Sequence, residues 1–382
     1  MTFVHVQLAG RIVHGAGALG TIPDELRLFG CRRALIVTSP SIATGSLGRL
    51  ATEAVGELGI GLFGNGTVHV PMAAVLDLAS VIARERPDAL VAIGGGSALD
   101  TAKGAALAAA VDRPFRELHR DYIGNAQCVG HRELVRVITV PTTLSGAERT
   151  GAFSIVEGGR KLNYTEAHIR PAVVIQDGNL LRFTPRRVLM ESGMNSIAHS
   201  VEALLSGTAS PLQRPLYLES LRLHGLYLPR ALQSADDTLA NDRLLAAAAL
   251  AGGLGGQNLS GRLGMIHSVT HAIAGATGAP HGAVFGVVIE QGMRFNGEVT
   301  PEELPEIAYA LTGRRLDGDG AIEAFVDLRA RLSLPARLSD IGVREADFDR
   351  IADAAMLHFG TAQNVRPIRS AADVRMLLTQ MY

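Results

Sequence analysis

The chain has 382 residues, 47% of them hydrophobic and 19% charged, which excludes a long disordered protein, and at roughly 150 residues per domain it suggests two or three domains. Lys+Arg of 36 against Asp+Glu of 37 gives a net charge of −1, so there is no basic field to attract nucleic acid or an anionic membrane. The uncharged run at 244–256 is short of the roughly 18 residues that span a bilayer, MTFVHVQLAG has no secretory leader pattern, and Cys31 and Cys128 are too few for a disulfide framework, so a cytoplasmic enzyme acting on a small molecule is expected.

In chain order, four short apolar runs read as strands. Residues 34–38 (ALIVT) end in Ser39-Pro40, 89–93 (ALVAI) end at Gly94, 135–140 (VRVITV) end at Pro141, and 172–175 end before Gln176. Between them 47–58, 72–86 and 97–110 have helical spacing. Strands alternating with helices predict a parallel sheet covered on both faces, with ligand sites beyond the carboxyl ends of its strands. From Thr184-Pro185, read as a helix cap and a first-turn proline, the β signal fades. Helical segments follow at 186–205, 211–233, 237–252, 261–274 and 282–295. This predicts an α/β dinucleotide-binding domain over 1–180 and an all-α catalytic or metal-site domain over 181–382.

The segment AIGGGSALDTAK at 92–103 leaves a predicted strand and opens a predicted helix. Gly94, Gly95 and Gly96 let the backbone approach a phosphate without a Cβ in the way. Ser97 and Asp100 have capping-box spacing, which predicts a helix starting at Ser97. Its free N–H groups and dipole favour an anion such as a pyrophosphate. An ordinary glycine-rich turn has the same pattern, and neither G-x-G-x-x-G nor a Walker A loop is present. The next strand end carries the hydroxyls of Thr142, Thr143 and Ser145. These suit a ribose or phosphate, or their own turn backbone.

The second half holds a histidine pattern. Asn195 and His199 are i and i+4 on a predicted helix, as are His267 and His271, and His281 opens another helix. Imidazoles of His199, His267 and His281 with one oxygen donor suit a divalent transition metal. Buried helix-packing histidines would give the same spacing. The oxygen donor, Asn195, is a neutral amide, which lowers the expected metal affinity.

Together these motifs resemble the iron-containing alcohol dehydrogenase superfamily, a fold shared with glycerol dehydrogenase and dehydroquinate synthase. The resemblance runs from VHGAGA at 13–18 to MRFN at 293–296. GGGSALDTAK at 94–103, including Lys103, is similar to that family's pyrophosphate loop, and PTTLSGAE at 141–148 to its nicotinamide-side loop. The windows around His199, His267 and His281 look like its metal-binding windows. MTFVHV at 1–6, VHVP at 68–71 and SGMNSIAHSVEAL at 192–204 are similar to the maleylacetate reductase branch, which carries Asn where metal-dependent members carry a ligand Asp. Asp100 and His281-Gly282 look more like general alcohol dehydrogenases. Arg149 and Glu290-Gln291 match neither.

The resemblance implies a homodimer that binds NADH or NADPH and transfers hydride to an oxo or conjugated unsaturated acid, with or without a metal. Ser39 stands where many members place an Asp, so a 2′-phosphate meets no repulsion there. His271 is a further proton-relay candidate, and Arg149, Lys161, Arg262 and Arg294 are candidate carboxylate partners. A metal-dependent alcohol or aldehyde dehydrogenase, and a non-redox lyase or cyclase on the same scaffold, are the alternative readings.

Overall fold

A computed structural model of the chain describes residues 10–67, 70–111, 134–158, 160–252 and 263–382. The expectations for MTFVHV at 1–6, the first half of VHVP, Cys128, Arg262 and the end of the 244–256 run fall outside the described residues. The described chain forms two compact units, one ending at Thr184 and the other containing Pro185–Tyr382.

The first unit runs β1 (Arg11–His14), α1 (Ile22–Leu28), β2 (Ala34–Val37), α2 (Pro40–Ala43), α3 (Ser46–Val55), β3 (Gly59–Phe63), α4 (Met72–Glu85), β4 (Ala89–Gly94), α5 (Gly96–Ala110), β5 (Arg136–Pro141), β6 (Ala152–Glu157), β7 (Arg160–Thr165) and β8 (Val173–Gln176). Six strands form a parallel sheet in the order β1-β8-β5-β4-β2-β3. β6 and β7 form a separate antiparallel hairpin.

The period of two along each strand sorts side chains to opposite faces. Leu35, Val37, Leu90, Ala92 and Val137 pack with Val75, Leu78, Leu99 and Leu107 of α4 and α5. Ala34, Ile36, Val91, Ile93, Ile138 and Val140 pack with Ile22, Leu26, Leu47 and Val55 of α1 and α3. Both faces are covered, so the central strands read as continuous apolar runs. The strands that sequence reasoning missed lie elsewhere. β1 and β3 are the partly exposed edges of the sheet, and β6–β7 is outside it. None of them presents the uninterrupted apolar run of a central strand.

The order of strands fixes where a ligand sits. The chain runs outward from β2 to β3, then returns to place β4 on the other side of β2. The crevice beyond the carboxyl ends of β2 and β4 is therefore a topological switch point. Thr38 closes its floor, donating its hydroxyl to the Ile93 carbonyl at 2.7 Å.

Two local expectations are corrected here. α5 begins at Gly96 with Gly95 as its N-cap and no side-chain cap. The Ser97/Asp100 capping box does not form, because Asp100 turns away to accept the Ser154 N–H at 3.1 Å and pair with Lys103 at 2.8 Å. Lys103 is fully buried, and its ammonium also donates to the carbonyls of Ala147 at 3.0 Å and Ala152 at 2.5 Å. The ammonium thus makes two hydrogen bonds and one ion pair. Lys103 and Asp100, expected among the cofactor-binding residues, pin the segment 147–154 to α5. Lys103→Met is expected to destabilise the protein by about 3 kcal/mol, by stranding a partly buried carboxylate and two carbonyls. Urea unfolding would read this, and an unchanged midpoint would count against it.

The second unit is helical: α6 (Arg186–Leu205), α7 (Arg214–Gln233), α8 (Thr238–Gly252), α9 (Met265–Thr277), α10 (His281–Gly297), α11 (Glu303–Thr312), α12 (Gly318–Arg331), α13 (Phe348–Met356), α14 (Phe359–Ala362) and α15 (Ala371–Gln380). Pro185, not Thr184, is the N-cap of α6. Thr184 is drawn away because its hydroxyl donates to the Thr142 carbonyl. Glycines on α10 set how closely its neighbours approach. A Cβ on Gly282 would fall 2.5 Å from the Glu191 Cα on α6, and one on Gly292 would fall 2.3 Å from Ile266 Cγ1 on α9. That close packing gathers the histidine-bearing faces of α6, α9 and α10. Among the described residues, no helix is long and apolar enough to cross a membrane.

Candidate active site

In the α/β unit the glycine loop sits at the switch point. Gly94 has φ +148°, a conformation side chains rarely adopt, and a Cβ there would meet Ala98 Cβ at 3.1 Å. A Cβ on Gly95 would meet Thr143 Cγ2 at 3.0 Å, and one on Gly96 would meet Ser145 Oγ at 3.3 Å. Thr142 donates its N–H to the Gly94 carbonyl at 2.9 Å, locking the β5 loop against the β4 loop. Gly94, Gly95, Gly96, Thr142, Thr143 and Ser145 are thus brought together. Ser97 lies in the first turn of α5, where N–H groups lack intrahelical acceptors. Ser39 follows β2 on the other side of the crevice, its hydroxyl 3.1 Å from that of Ser41. These features fit a dinucleotide: bare backbone and a helix N-terminus for the pyrophosphate, hydroxyls beside it, and no carboxylate at position 39.

In the helical unit four histidines form a chain of ring contacts. His199 and His267 lie with centroids 4.3 Å apart, His267 and His271 5.8 Å, and His271 and His281 5.8 Å. His267 is buried, His199 and His271 are partly buried, and His281 is exposed. Asn195 sits on α6 one turn before His199. Burial, and next the neighbouring His267, push His199 down to about 3, so its neutral form holds at working pH. An ion-like His199 donating a hydrogen bond is thereby disfavoured.

Two residues that sequence reasoning missed organise this chain. Glu202 lies on the same face of α6 as His199, three residues on, and is buried. Its Oε2 accepts from His267 Nδ1 at 2.6 Å, while its Oε1 accepts the Ile266 N–H at 2.8 Å and the His267 N–H at 3.4 Å. The carboxylate therefore orients His267 and also fills orphan N–H groups in the first turn of α9. With Nδ1 donating to Glu202, neutral His267 keeps its lone pair on Nε2. The i, i+3 spacing of His199 and Glu202 was the available signal. The second residue is His358, whose Nδ1 accepts the Gly360 N–H at 3.1 Å. Its proton must then lie on Nε2, which donates to His271 Nδ1 at 3.2 Å. Neutral His271 in turn carries its proton on Nε2. Two imidazoles one turn apart on α9 thus have opposite polarity at Nε2, an acceptor on His267 and a donor on His271.

The same side chains do not fit a metal ion as arranged. Among the described residues, no group of three His, Cys, Asp or Glu is placed to hold one. His281 packs against His271, with ring centroids 5.8 Å apart, and Asn195 brings no charge. His199, His267 and His281 remain a set proposed from sequence, which this arrangement does not gather into a metal site among the described residues.

The family model described as iron-containing alcohol dehydrogenase matches residues 9–178, and that of the Fe-containing alcohol dehydrogenase family, C-terminal, matches 189–382. The chain is 31% identical to maleylacetate reductase of Sphingobium indicum over 99% of its own length and 97% of the relative's. It is 30% identical to 4-hydroxybutyrate dehydrogenase of Cupriavidus necator over 95% and 96% of the two chains. The crystal structure of maleylacetate reductase from Agrobacterium tumefaciens superimposes with a TM-score of 0.83 at 28% identity, covering 100% of this chain and 98% of that one.

Proposed function

The chain belongs to the iron-containing alcohol dehydrogenase family and is an oxidoreductase, and from that premise we propose that it is an NAD(P)H-dependent reductase of an oxo or conjugated unsaturated acid, the substrate class named by its maleylacetate reductase relatives. The observation that carries the reading is the bare cradle of Gly94–Gly96 at the switch point, where each added Cβ would meet a neighbour. Gly95, Gly96 and the first turn of α5 would hold the pyrophosphate, and Thr142, Thr143 and Ser145 would line the path toward the nicotinamide. When bound, the dihydronicotinamide supplies the hydride.

The remaining chemistry is that of a proton. Negative charge grows on the substrate oxygen as the carbonyl, or a conjugated C=C–C=O unit, is reduced. His271 presents an Nε2–H that can stabilise that charge by hydrogen bonding. The Glu202–His267 pair can hold a proton and deliver it at His267 Nε2. Glu202 touches no substrate in this scheme and acts by positioning His267. Charge stabilisation through histidine hydrogen bonds agrees with the neutral Asn195 and with the contacts that run from ring to ring.

One preparation tests this. NADH and NADPH are titrated by fluorescence before and after EDTA treatment, bound metals are measured by mass spectrometry, and oxidation of the reduced cofactor is followed at 340 nm with maleylacetate. Binding of both cofactors that survives EDTA, with turnover of the acid, is expected. Activity that requires stoichiometric iron or zinc would sink the histidine-only scheme and move the substrate search to alcohols and aldehydes. Light scattering of the same sample reads the homodimer that the family resemblance implies.

A further inference from the structure

The two histidines of α9 are each held at Nδ1, by opposite chemistry. Glu202 accepts from His267 Nδ1 at 2.6 Å, whereas His358 faces His271 Nδ1 across 3.2 Å. The direction of the second bond is set by the other nitrogen of His358. That side chain caps α14, its Nδ1 accepting the Gly360 N–H at 3.1 Å. A backbone N–H only donates, so Nδ1 is the bare nitrogen of neutral His358 and Nε2 carries the proton.

The surroundings hold this donor in place. Phe359 stacks on the His358 ring, with centroids 4.6 Å apart. A Cβ on Gly360 would fall 2.9 Å from the Gly264 carbonyl oxygen and 3.1 Å from that of Leu263, so the bare backbone of α14 lies directly against the chain entering α9. Asn364, buried two residues beyond α14, accepts the Met265 N–H at 2.9 Å and exchanges hydrogen bonds of 3.2 and 2.7 Å with Asn296 of α10. Glu202 fills the next N–H groups of that first turn, those of Ile266 and His267. The segment 358–364 is therefore a brace on α9. It caps the start of the helix with Asn364 and reaches its second turn with His358.

His271 is the ring that the brace controls. It is half-buried, and the adjoining His281 is exposed, so this end of the histidine array opens to solvent. The rings of His267, His281 and His358 lie against His271 with centroids 5.8, 5.8 and 5.3 Å away. Aromatic contacts of that kind fix the plane of a ring but do not choose its tautomer. The hydrogen bond from His358 does, because an imidazole that accepts at Nδ1 keeps its own proton on Nε2.

We propose that His358 is a positioning residue for the reduction, holding His271 in the tautomer and orientation that offer Nε2–H to the substrate oxygen. This rests on the reductase reading, which supplies the developing charge for that donor to meet. His358 does not itself meet the substrate in this scheme. It acts on the chemistry from 87 residues along the chain.

The two nitrogens of His358 can be removed separately. In His358→Asn the short amide still caps α14, and no donor reaches His271. In His358→Gln the longer amide places an N–H where Nε2–H was, and the cap is weakened. The Asn variant is expected to keep the melting temperature and lose about tenfold or more in kcat, with KM for maleylacetate and NADH affinity within a few-fold of the parent. The Gln variant should recover most of kcat and melt lower. Proton–nitrogen correlation spectra of protein labelled at histidine nitrogen, free of cofactor and substrate and above the histidine titration range, add a signature that a structural role would not move. His271, identified by loss of its signals in His271→Gln, should show an unprotonated Nδ1 in the parent, a displaced Nδ1 resonance in the Asn variant and a parent-like one in the Gln variant. The proposal is overturned if His271 carries its proton on Nδ1 in the parent, if that resonance is unmoved in His358→Asn, or if kcat follows the melting temperature, high in the Asn variant and low in the Gln variant. It is also overturned if His358→Asn raises KM and leaves kcat alone, because His358 would then meet the substrate directly. Should one variant unfold, the parent spectrum and the other variant still decide. Failure of the reductase reading has a different signature, no cofactor oxidation with any oxo acid, and leaves the spectra readable.

Discussion

Glu202→Gln is expected to lower kcat by about 100-fold, the scale seen when the partner orienting a functional histidine is lost, while leaving the affinity for reduced cofactor unchanged. The reason is a count of acceptors. Glu202 receives the His267 side-chain Nδ1–H on one oxygen and the Ile266 and His267 main-chain N–H groups on the other. A carboxamide of the same shape has one acceptor oxygen and one NH₂ donor. If its oxygen faces the helix, the NH₂ faces His267 Nδ1, which must then accept, and the proton moves to Nε2. The polarity that His267 offers is inverted. If the oxygen faces His267, the NH₂ opposes two N–H groups in the first turn of α9, with no acceptor for either. Glu202→Ala should be at least as damaging to kcat and worse for stability. Rapid-mixing kinetics alongside NADH titration separate the effects, and a kcat within a few-fold of the parent would remove Glu202 from the mechanism.

The same pair sets a pH dependence. Burial pushes the Glu202 carboxyl up to about 7, against the pull of the N–H groups of Gly264, Ile266 and His267 and of the nearby His199. Below that pH the Glu202–His267 pair holds a proton to give; above it the proton is lost. Reduction consumes a proton, so log kcat for reduction should fall with unit slope as pH rises through about 7. His199, held neutral down to about 3, contributes no break in the working range. Glu202→Gln should abolish the break near 7, whereas a profile identical in parent and variant would assign it to another group.

The legible part of this protein was the part set by local pattern. The four central strands announced themselves because a parallel strand buried on both faces must be apolar at every position, and β2 and β4 are buried throughout. Helices α6 and α10 fell within two residues of their expected bounds. Edge strands such as β3, with two glycines in five residues and partial exposure, carry no such signature. In the site, residue types were readable but partnerships were not. Ser97 and Asp100 have the spacing of a cap, yet a buried lysine one turn on outcompetes the helix terminus for the carboxylate. Glu202 was in view beside His199, but its role depends on His267, which lies 65 residues further along the chain.

Gly95→Val is expected to weaken NADH binding by about 100-fold with little change in the fold. Gly95 has φ −78° and ψ 179°, extended backbone that any residue adopts, so the substitution adds no backbone strain. The obstacle is space. Its Cβ would lie 3.0 Å from Thr143 Cγ2 and 3.4 Å from Thr143 Oγ1, in the gap between the β4 and β5 loops. Thr143 can rotate away, but the isopropyl group would then stand over the first turn of α5, where a pyrophosphate must approach the N–H groups. Loss of two charge-assisted hydrogen bonds at about 1.5 kcal/mol each is about 3 kcal/mol, or about 100-fold in Kd. Gly95→Ala should lie between, because its single methyl asks Thr143 to move only a few tenths of an ångström. Gly94→Ala is the informative contrast: its φ of +148° makes even a methyl strained, so it should lower the melting temperature as well as the affinity. Fluorescence titration and thermal unfolding on all three variants separate a phosphate cradle from an ordinary glycine turn. In the ordinary turn, Gly95→Val would leave NADH affinity where it was, and the dinucleotide assignment would lose its structural basis.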